Sequence, residues 1–204
     1  MTDVYIVRHG NTFDAGDTVT RVGARTDLAL SLSGQIQAGA LATHFAEITP
    51  GGFDRAFCSP LQRTRQTAEA ILDASVNAPG LETLEFLREV DYGPDENRPE
   101  DEVIARIGQA ALTAWETDAV PPPGWEIDPE TVKTDWVNFL NELEIQAPER
   151  PILVVTSNGI ARFVLDAITD RQVALDSIKL KTGAYGHIRV ARDVVSLLSW
   201  NVRP

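Results

Sequence analysis

The chain has 204 residues, a formal net charge of −12, 43% hydrophobic and 24% charged residues, and one cysteine. This length suits one domain, and the composition is that of an ordinary globular protein without a run of about 18 apolar residues that would span a membrane. An acidic chain that lacks a basic segment is a poor nucleic-acid binder. The single Cys58 excludes an internal disulfide and a zinc site made of cysteine pairs.

The first half of the chain alternates short apolar segments with helical patterns. Residues 3–8 are mostly β-branched or aromatic and predict a buried strand, and Ser31 opens a helix that Pro50 ends. The predicted elements are a strand over 3–8, a loop over 9–30, a helix over 31–49, a strand over 54–58, a helix from Ser59 or Pro60 to about Ala74, and a strand over 83–86.

The second half begins with two helical patterns, separated by Pro121–Pro123, and then returns to strands. Its predicted elements are helices from Glu100 to about Glu116 and from Pro129 to about Leu143, a strand over 151–156, a helix from Asn158 to about Ile168, and strands over 184–190 and 194–200. This order predicts one α/β domain over residues 1–204. We expect a three-layer α/β/α sandwich with a mainly parallel central sheet and a helical, lid-like insert at about 93–143.

Three polar segments each follow directly on a predicted strand. They are Arg8-His9-Gly10, Ser59 to Arg63, and Ser157-Asn158-Gly159. Ligands of parallel sheets bind at the carboxyl ends of the strands, so the three segments predict a single site.

The Arg8-His9-Gly10 segment suits phosphoryl transfer. A neutral imidazole attacks phosphorus to give a phosphohistidine, and adjacent arginines favour the neutral ring and bind the phosphoryl oxygens. Arg63, one turn into a helix that follows a strand, suits an anion for the same reason. For each of these residues, a plain solvated side chain is the alternative.

Two further residues fit such a site. Glu89 is the expected proton donor to the leaving oxygen and acceptor from water, with Asp91 in reserve and a solvated carboxylate as the alternative. Asn158 and Gly159 stand at a predicted helix start, where backbone N–H groups bind anions. Asn158 is alternatively a helix N-cap, and both roles together are compatible.

Taken together, the segments resemble the histidine phosphatase superfamily, in its phosphoglycerate mutase-like branch. The resemblance rests on four segments in order: Arg8-His9-Gly10, Leu30 to Ala38, Ser59 to Thr64, and Leu87-Arg88-Glu89. It implies that His9 is phosphorylated, that Arg8 and Arg63 clamp the phosphate, and that Glu89 transfers protons. It also implies phosphate or substrate contacts for Asn11 and Thr12, and neither a metal nor another cofactor.

One position departs from the resemblance, because Asn158 stands where such proteins usually have a second histidine. Three interpretations stay open. Asn158 acts as a neutral donor, or another cation such as Arg21, Arg25 or Arg162 replaces the charge, or the protein mainly binds a phosphorylated ligand. His187 is a further substitute, although its predicted strand favours a structural role.

The leading hypothesis is a metal-independent phosphatase for a small phosphorylated molecule, such as a sugar phosphate. Asp91, Asp95 and Glu96 follow Glu89, and we expect them to disfavour a strongly anionic substrate and to suit hydroxyl groups. For that reason a phosphoglycerate-type mutase ranks second, and a weakened phosphate-binding protein is the third reading. We expect a cytoplasmic location, since no secretory signal is predicted, and no nucleic-acid or membrane partner; a homodimer stays open.

Overall fold

The computed structural model describes residues 1–204 and contains seven strands and six α-helices. The strands are β1 (Thr2–Arg8), β2 (Arg55–Cys58), β3 (Leu81–Thr83), β4 (Ile152–Thr156), β5 (Asp170–Arg171), β6 (Tyr185–Ala191) and β7 (Val194–Val202). The helices are α1 (Leu32–Ile48), α2 (Gln62–Asp73), α3 (Glu100–Ile107), α4 (Gln109–Asp118), α5 (Pro129–Gln146) and α6 (Asn158–Ala161).

All seven strands form one sheet in the order β3-β2-β4-β1-β6-β7-β5. The pairs β3/β2, β2/β4, β4/β1 and β7/β5 are parallel, whereas β6 runs antiparallel to both β1 and β7. The α/β fold with a mainly parallel central sheet, expected from the sequence, is therefore confirmed.

Strand β1 shows why the sheet is covered on both faces. Successive side chains of a strand point to opposite faces. Val4 and Ile6 belong to one core cluster, and Tyr5 and Val7 belong to the other. All four are buried, so each face of the central strand requires its own helical layer.

The two layers come from different parts of the chain. Leu41 and Phe45 of α1, with Ile71 of α2, pack on the Tyr5 side of the sheet. Trp136 and Phe139 of α5 pack on the other side. Helix α5 was expected to belong to the insert, and it lies directly against the sheet, with the ring centroids of Phe139 and Phe57 5.1 Å apart.

Several predicted bounds differ from the structure. The strand expected over 83–86 lies at Leu81–Thr83, and Glu85–Leu87 forms a 3-10 turn instead. The helix expected from Glu100 to Glu116 is interrupted at Gly108, whose φ of 81° lies outside the helical region. Neither difference moves the strand ends that carry the site.

The helix expected from Asn158 to Ile168 is α-helical only as far as Ala161 and continues as a 3-10 helix over Arg162–Ala167. The two-residue strand β5 was not predicted, because two residues are too few to show a period. The turn at Arg192 and Asp193 between the last two strands is present, with positive φ at both residues.

Candidate active site

The three predicted segments meet at the carboxyl edge of the sheet. Arg8 of β1 pairs with Thr156 of β4, and Cys58 of β2 pairs with Val155 of β4. The His9 backbone N–H donates to the Thr156 carbonyl oxygen at 3.2 Å. The residues that follow these strand ends therefore share one edge, as the sequence pattern predicted.

The contacts of His9 fix its tautomer. Its Nδ1 lies 2.7 Å from the carbonyl oxygen of Gly10, and its Nε2 lies 3.2 Å from Nε of Arg63. A carbonyl oxygen only accepts a hydrogen bond and a guanidinium only donates one. Nδ1 therefore carries the proton, and the lone pair of Nε2 accepts the Arg63 hydrogen bond. The ring is neutral in this arrangement.

The surroundings of His9 keep it neutral. Burial lowers the pKa of His9 well below the ordinary value of 6.5, and the positive charges of Arg63 and Arg8 lower it further. Below about pH 6.5 an unfolded chain would bind a proton here while the folded chain does not. The stability associated with neutral His9 is therefore lost as the pH falls from that value through the folded-state pKa.

Arg63 and Arg8 are held by carbonyl oxygens and not by carboxylates. Arg63 donates through Nη1 to Thr26 O at 2.9 Å and through Nη2 to Gly23 O at 3.1 Å. Arg8 donates through Nη1 to Leu180 O at 2.8 Å, and its buried Nε has no partner. Neither guanidinium group beside His9 is therefore part of an ion pair.

Glu89 faces the same cavity and is held by two backbone N–H groups. Its Oε1 accepts from Val90 N at 2.9 Å and its Oε2 from Gly159 N at 3.3 Å. A Cβ at position 159 would overlap Glu89 Oε1, so only glycine permits this approach. The Gly159 N–H, expected to bind phosphate, is directed at Glu89 instead.

The Asn158 side chain lines the cavity and is held by a hydrogen bond to its oxygen atom. Its Oδ1 accepts from Leu180 N at 2.8 Å, so the Nδ2 group is the donor that remains for a ligand. The alternative that Asn158 caps its own helix is wrong, because Ser157 occupies the N-cap position.

Of the three cations considered as substitutes for a second histidine, Arg162 and Arg21 line the cavity. The Arg162 guanidinium lies 4.4 Å from the ring centroid of Trp115, and it donates to the carbonyl oxygens of Trp115 and Asn158. Arg25 does not line the cavity, because it projects outward and pairs with Asp91 at 2.9 Å.

His9 is the only histidine of this cavity. His187 is bound to Asp3 Oδ1 at 2.9 Å and stacks on Tyr5, and His44 lies 2.8 Å from the Tyr185 hydroxyl. His187 therefore has a structural position and does not stand in for a second histidine.

The cavity has a volume of about 500 Å³ and continues outward from His9 to two ion pairs. Arg21 pairs with Glu100 at 2.5 Å, and Lys179 pairs with Glu116 at 3.4 Å. We call these four residues the rim. Because each cation of the rim has a carboxylate partner, the rim contributes little net charge.

The loop after His9 forms another wall of the cavity through Asn11 and Thr12. Asn11 donates from its backbone N–H to Gln37 Oε1 at 2.8 Å and from Nδ2 to Ser33 Oγ at 3.1 Å. These bonds fix the loop on helix α1, and one Nδ2 proton of Asn11 remains for a ligand.

The acidic residues after Glu89 do not lie where the sequence suggested. Asp91, Asp95 and Glu96 are all absent from the cavity wall. Asp95 is 2% exposed, binds Arg106, and accepts from the indole N–H of Trp125 at 2.7 Å. The expectation that these three acids select the substrate is therefore wrong.

Most of the rim has no local signal in the sequence. Glu116 and Lys179 are 63 residues apart, and neither belongs to a local pattern that marks a site. Glu100 had only an indirect signal in the sequence: Arg21 was expected at the site, and a partly buried arginine requires an acidic partner, which Glu100 is. Tyr92 also lines the cavity, and it stands beside the segment that contains Glu89.

None of the helices has the length and apolar character that a membrane span needs.

The chain is similar to several known proteins. A relative from Sinorhizobium fredii, a 2,3-bisphosphoglycerate-dependent phosphoglycerate mutase, is 33% identical over 138 residues, which are 64% of each chain. A Danio rerio fructose-2,6-bisphosphatase TIGAR B is 34% identical over 68% of this chain and 51% of its own. The chain thus spans less than two thirds of the length of these relatives.

Solved structures show the same fold. A mycobacterial glucosyl-3-phosphoglycerate phosphatase superposes with a TM-score of 0.80 and 19% identity over 100% of both chains. The alpha-ribazole phosphatase of Shigella flexneri superposes with a TM-score of 0.73 and 22% identity, over 99% of this chain and 97% of its own. The family model of the histidine phosphatase superfamily (branch 1) matches residues 4–203. The chain therefore belongs to the histidine phosphatase superfamily.

Proposed function

We propose that this protein is a metal-independent phosphatase that hydrolyses a small-molecule phosphomonoester through a phosphohistidine on His9. The observation that carries the proposal is the fixed tautomer of His9. Gly10 O holds the proton on Nδ1, and the lone pair on Nε2 lies 3.2 Å from Arg63 Nε. A nucleophile is thus prepared next to a cation that binds the group it attacks.

In the first step, Nε2 of His9 attacks phosphorus and the bond from phosphorus to the ester oxygen breaks. Arg8 and Arg63 bind the phosphoryl oxygens, on which negative charge is concentrated. Protonated Glu89 gives its proton to the departing ester oxygen, which leaves as an alcohol. The products of this step are phospho-His9 and the carboxylate of Glu89.

In the second step, Glu89 takes a proton from a water molecule while the water oxygen attacks the phosphorus of phospho-His9. The bond from phosphorus to Nε2 breaks, and inorganic phosphate leaves. Glu89 is protonated again, and His9 returns to its neutral tautomer. The two backbone N–H groups that hold Glu89 keep its carboxyl group in place through both steps.

Asn158 and Arg162 supply the remaining contacts in this proposal. The free Nδ2 group of Asn158 donates a neutral hydrogen bond to the phosphoryl group. Arg162 adds a positive charge that no carboxylate of the protein pairs with, since its recorded partners are carbonyl oxygens and the Trp115 ring. Charge-assisted bonds are about twice as strong as neutral ones, so Arg162 offsets part of what a neutral Asn158 lacks.

For the substrate, we propose an uncharged, hydroxylated leaving group such as a sugar. The rim pairs Arg21 with Glu100 and Lys179 with Glu116, and such pairs donate to and accept from hydroxyl groups. The cavity volume of about 500 Å³ suits a small molecule.

A phosphoglycerate-type mutase is the second candidate, favoured by relatives such as the 33% identical Sinorhizobium fredii enzyme. In a mutase, phospho-His9 gives its phosphoryl group to an oxygen of a second substrate and not to water. The test is the product: phosphatase activity releases inorganic phosphate in equal amounts to substrate consumed, whereas a mutase interconverts phosphoglycerates without net release.

The experiment compares wild type, His9→Ala and Asn158→His on sugar phosphates, phosphoglycerates and nucleotides, with His44→Gln as a control outside the cavity. We expect inorganic phosphate from wild type and from the control, none from His9→Ala, and an acid-labile, base-stable phosphoenzyme during turnover. Turnover that survives His9→Ala contradicts the proposal. An inert wild type together with an active Asn158→His variant identifies a phosphate-ligand binder instead.

A further inference from the structure

The carboxylate of Glu96 accepts four hydrogen bonds, although it does not line the cavity. Its Oε1 accepts from Gly23 N at 3.0 Å, Arg25 N at 3.0 Å and Thr26 Oγ1 at 2.8 Å, and its Oε2 accepts from Tyr92 N at 3.1 Å. Three of the four donors belong to residues 23–26, which we call the arginine-holding loop. One side chain therefore binds three residues of this loop to the segment that follows Glu89, and the Ala24 N–H adds a bond to the Val90 carbonyl oxygen at 2.9 Å.

The arginine-holding loop is also the support of Arg63. Its Gly23 and Thr26 carbonyl oxygens accept both terminal nitrogens of the Arg63 guanidinium, at 3.1 and 2.9 Å. The remaining nitrogen, Nε, donates to Nε2 of His9 at 3.2 Å. All three guanidinium nitrogens of Arg63 are thus directed by the loop on one side and His9 on the other.

The fit around Gly23 leaves no freedom for the loop to move towards Glu96. A Cβ at position 23 would overlap Glu96 Oε2, the carbonyl oxygen of Val90 and the Tyr92 ring. Since only glycine permits this approach, the backbone of the loop lies directly on the segment that carries Glu96.

We infer that Glu96 is a positioning residue for Arg63: it orders the arginine-holding loop, whose carbonyl oxygens aim the guanidinium at the reacting nitrogen of His9. This inference rests on the proposed function for its kinetic consequence. Its structural content, the link from Glu96 through residues 23–26 to Arg63, is independent of which substrate the protein uses.

A carboxylate suits this task better than a neutral side chain. One oxygen with three donors is favoured when it carries negative charge, because charge-assisted hydrogen bonds are the stronger ones. The same charge lies close enough to Arg63 to favour its protonated form against the burial that lowers the pKa of Arg63. Glu96 therefore both shapes the loop and favours the charge that the loop holds.

The first experiment compares Glu96→Ala and Glu96→Gln with Asp91→Ala. Asp91 contacts the same loop only through the exposed side chain of Arg25, so its variant controls for general loosening. We expect Glu96→Ala to lower kcat by about 10- to 100-fold, the effect of misplacing a reacting group by about 1 Å. Glu96→Gln keeps the Oε1 acceptor but loses the charge and turns an NH2 group towards the Tyr92 N–H, so we expect a loss between those of wild type and Glu96→Ala. Asp91→Ala stays within about threefold.

The second experiment follows the titration of His9 by NMR, where only three histidines contribute signals. Arg8, Arg63 and Glu89 are the charged groups around His9, and Arg63 is one of the two that lower its pKa. Release of Arg63 in Glu96→Ala raises the pKa of His9 towards 6.5. Loss of the Glu96 negative charge without release of Arg63 would lower the pKa of His9. The direction of the shift therefore distinguishes release of Arg63 from a simple change of charge.

Thr26→Ala is the milder variant if Glu96→Ala does not fold, because it removes one of the four bonds and keeps the carbonyl that holds Arg63. We expect a smaller shift of the His9 pKa in the same direction. In an Arg63→Gln background, Glu96→Ala should cause no further loss of kcat, since the effect passes through Arg63.

The outcomes separate the two proposals. If His9→Ala abolishes turnover but Glu96→Ala matches wild type in kcat and in the His9 titration, the positioning role is refuted and the phosphatase stands. If no substrate is turned over by wild type, the phosphatase proposal fails, and the NMR titration still decides the role of Glu96. An additive loss in the Arg63→Gln background also overturns the inference.

Discussion

The inner and outer ends of the cavity differ in whether their positively charged side chains are ion-paired. At the inner end, Arg8 and Arg63 are held by backbone carbonyl oxygens and have no carboxylate partner. At the rim, Arg21 and Lys179 each pair with a glutamate. The same residue types are therefore free of ion pairs at the inner end and ion-paired at the entrance.

This difference explains how a chain with a net charge of −12 can provide the anion site that the proposed function requires. Carbonyl oxygens orient a guanidinium without neutralising it. A carboxylate also orients a guanidinium, but it neutralises the positive charge, so the guanidinium attracts an anionic ligand less. Positive charge is thus concentrated where a phosphoryl group would bind His9, and the rest of the molecule stays acidic.

The largest expected effect comes from the inner end. Arg63→Gln removes a cation that contacts His9 and should lower kcat by about 10²- to 10³-fold, by analogy with loss of one transition-state donor. Arg65→Gln is the matched control, because Arg65 lies two residues along α2 and is exposed. Steady-state kinetics with both variants measure the effect, and equal losses would contradict a special role of the inner end.

A smaller effect is expected at Gly159. Gly159→Ala places a Cβ against Glu89 Oε1 and should lower kcat by about 10- to 100-fold through displacement of Glu89. Gly39→Ala is the control, since a Cβ there in α1 meets open space, and it should stabilise the fold by about 0.5–1 kcal/mol. Kinetics and thermal unfolding distinguish them; unchanged kcat in Gly159→Ala would show that the contact with Gly159 does not position Glu89.

The smallest effect is expected at the rim. Glu100→Gln frees Arg21 and should lower KM about two- to fivefold for a substrate with a second anionic group, but not for a neutral sugar phosphate. Glu85→Gln breaks a comparable exposed pair with Arg88 outside the cavity wall and serves as the control. Identical KM changes for both substrate types would show that the rim pairs do not discriminate charge.

The parts that could be predicted from the sequence are those with a short-range signal. The all-buried pattern of Ile152–Thr156 and the Ser31 cap of α1 are local features, and both are present in the structure. The convergence of Arg8, Arg63 and Asn158 at one edge followed from strand order alone, because parallel strands end at the same side of a sheet.

The parts that could not be predicted depend on long-range contacts or on single backbone angles. The helix break at Gly108 depends on one positive φ. A glycine inside a helical pattern does not by itself predict such a break. Asp95 was expected to act on the substrate, but its contacts with Arg106 and Trp125 bury it instead. Those partners lie 11 and 30 residues away, beyond any local periodicity.

The peptide groups of Leu180 connect the two ends of the chain at the site. Its N–H holds the Asn158 side chain and its carbonyl oxygen holds Arg8, each at 2.8 Å. A nascent chain that has already formed β1, β2 and β4 therefore still lacks the hydrogen bonds that hold Asn158 and Arg8 until position 180 has left the ribosome. The proposed phosphate site is therefore complete only once this later segment has packed against the central strands of the sheet.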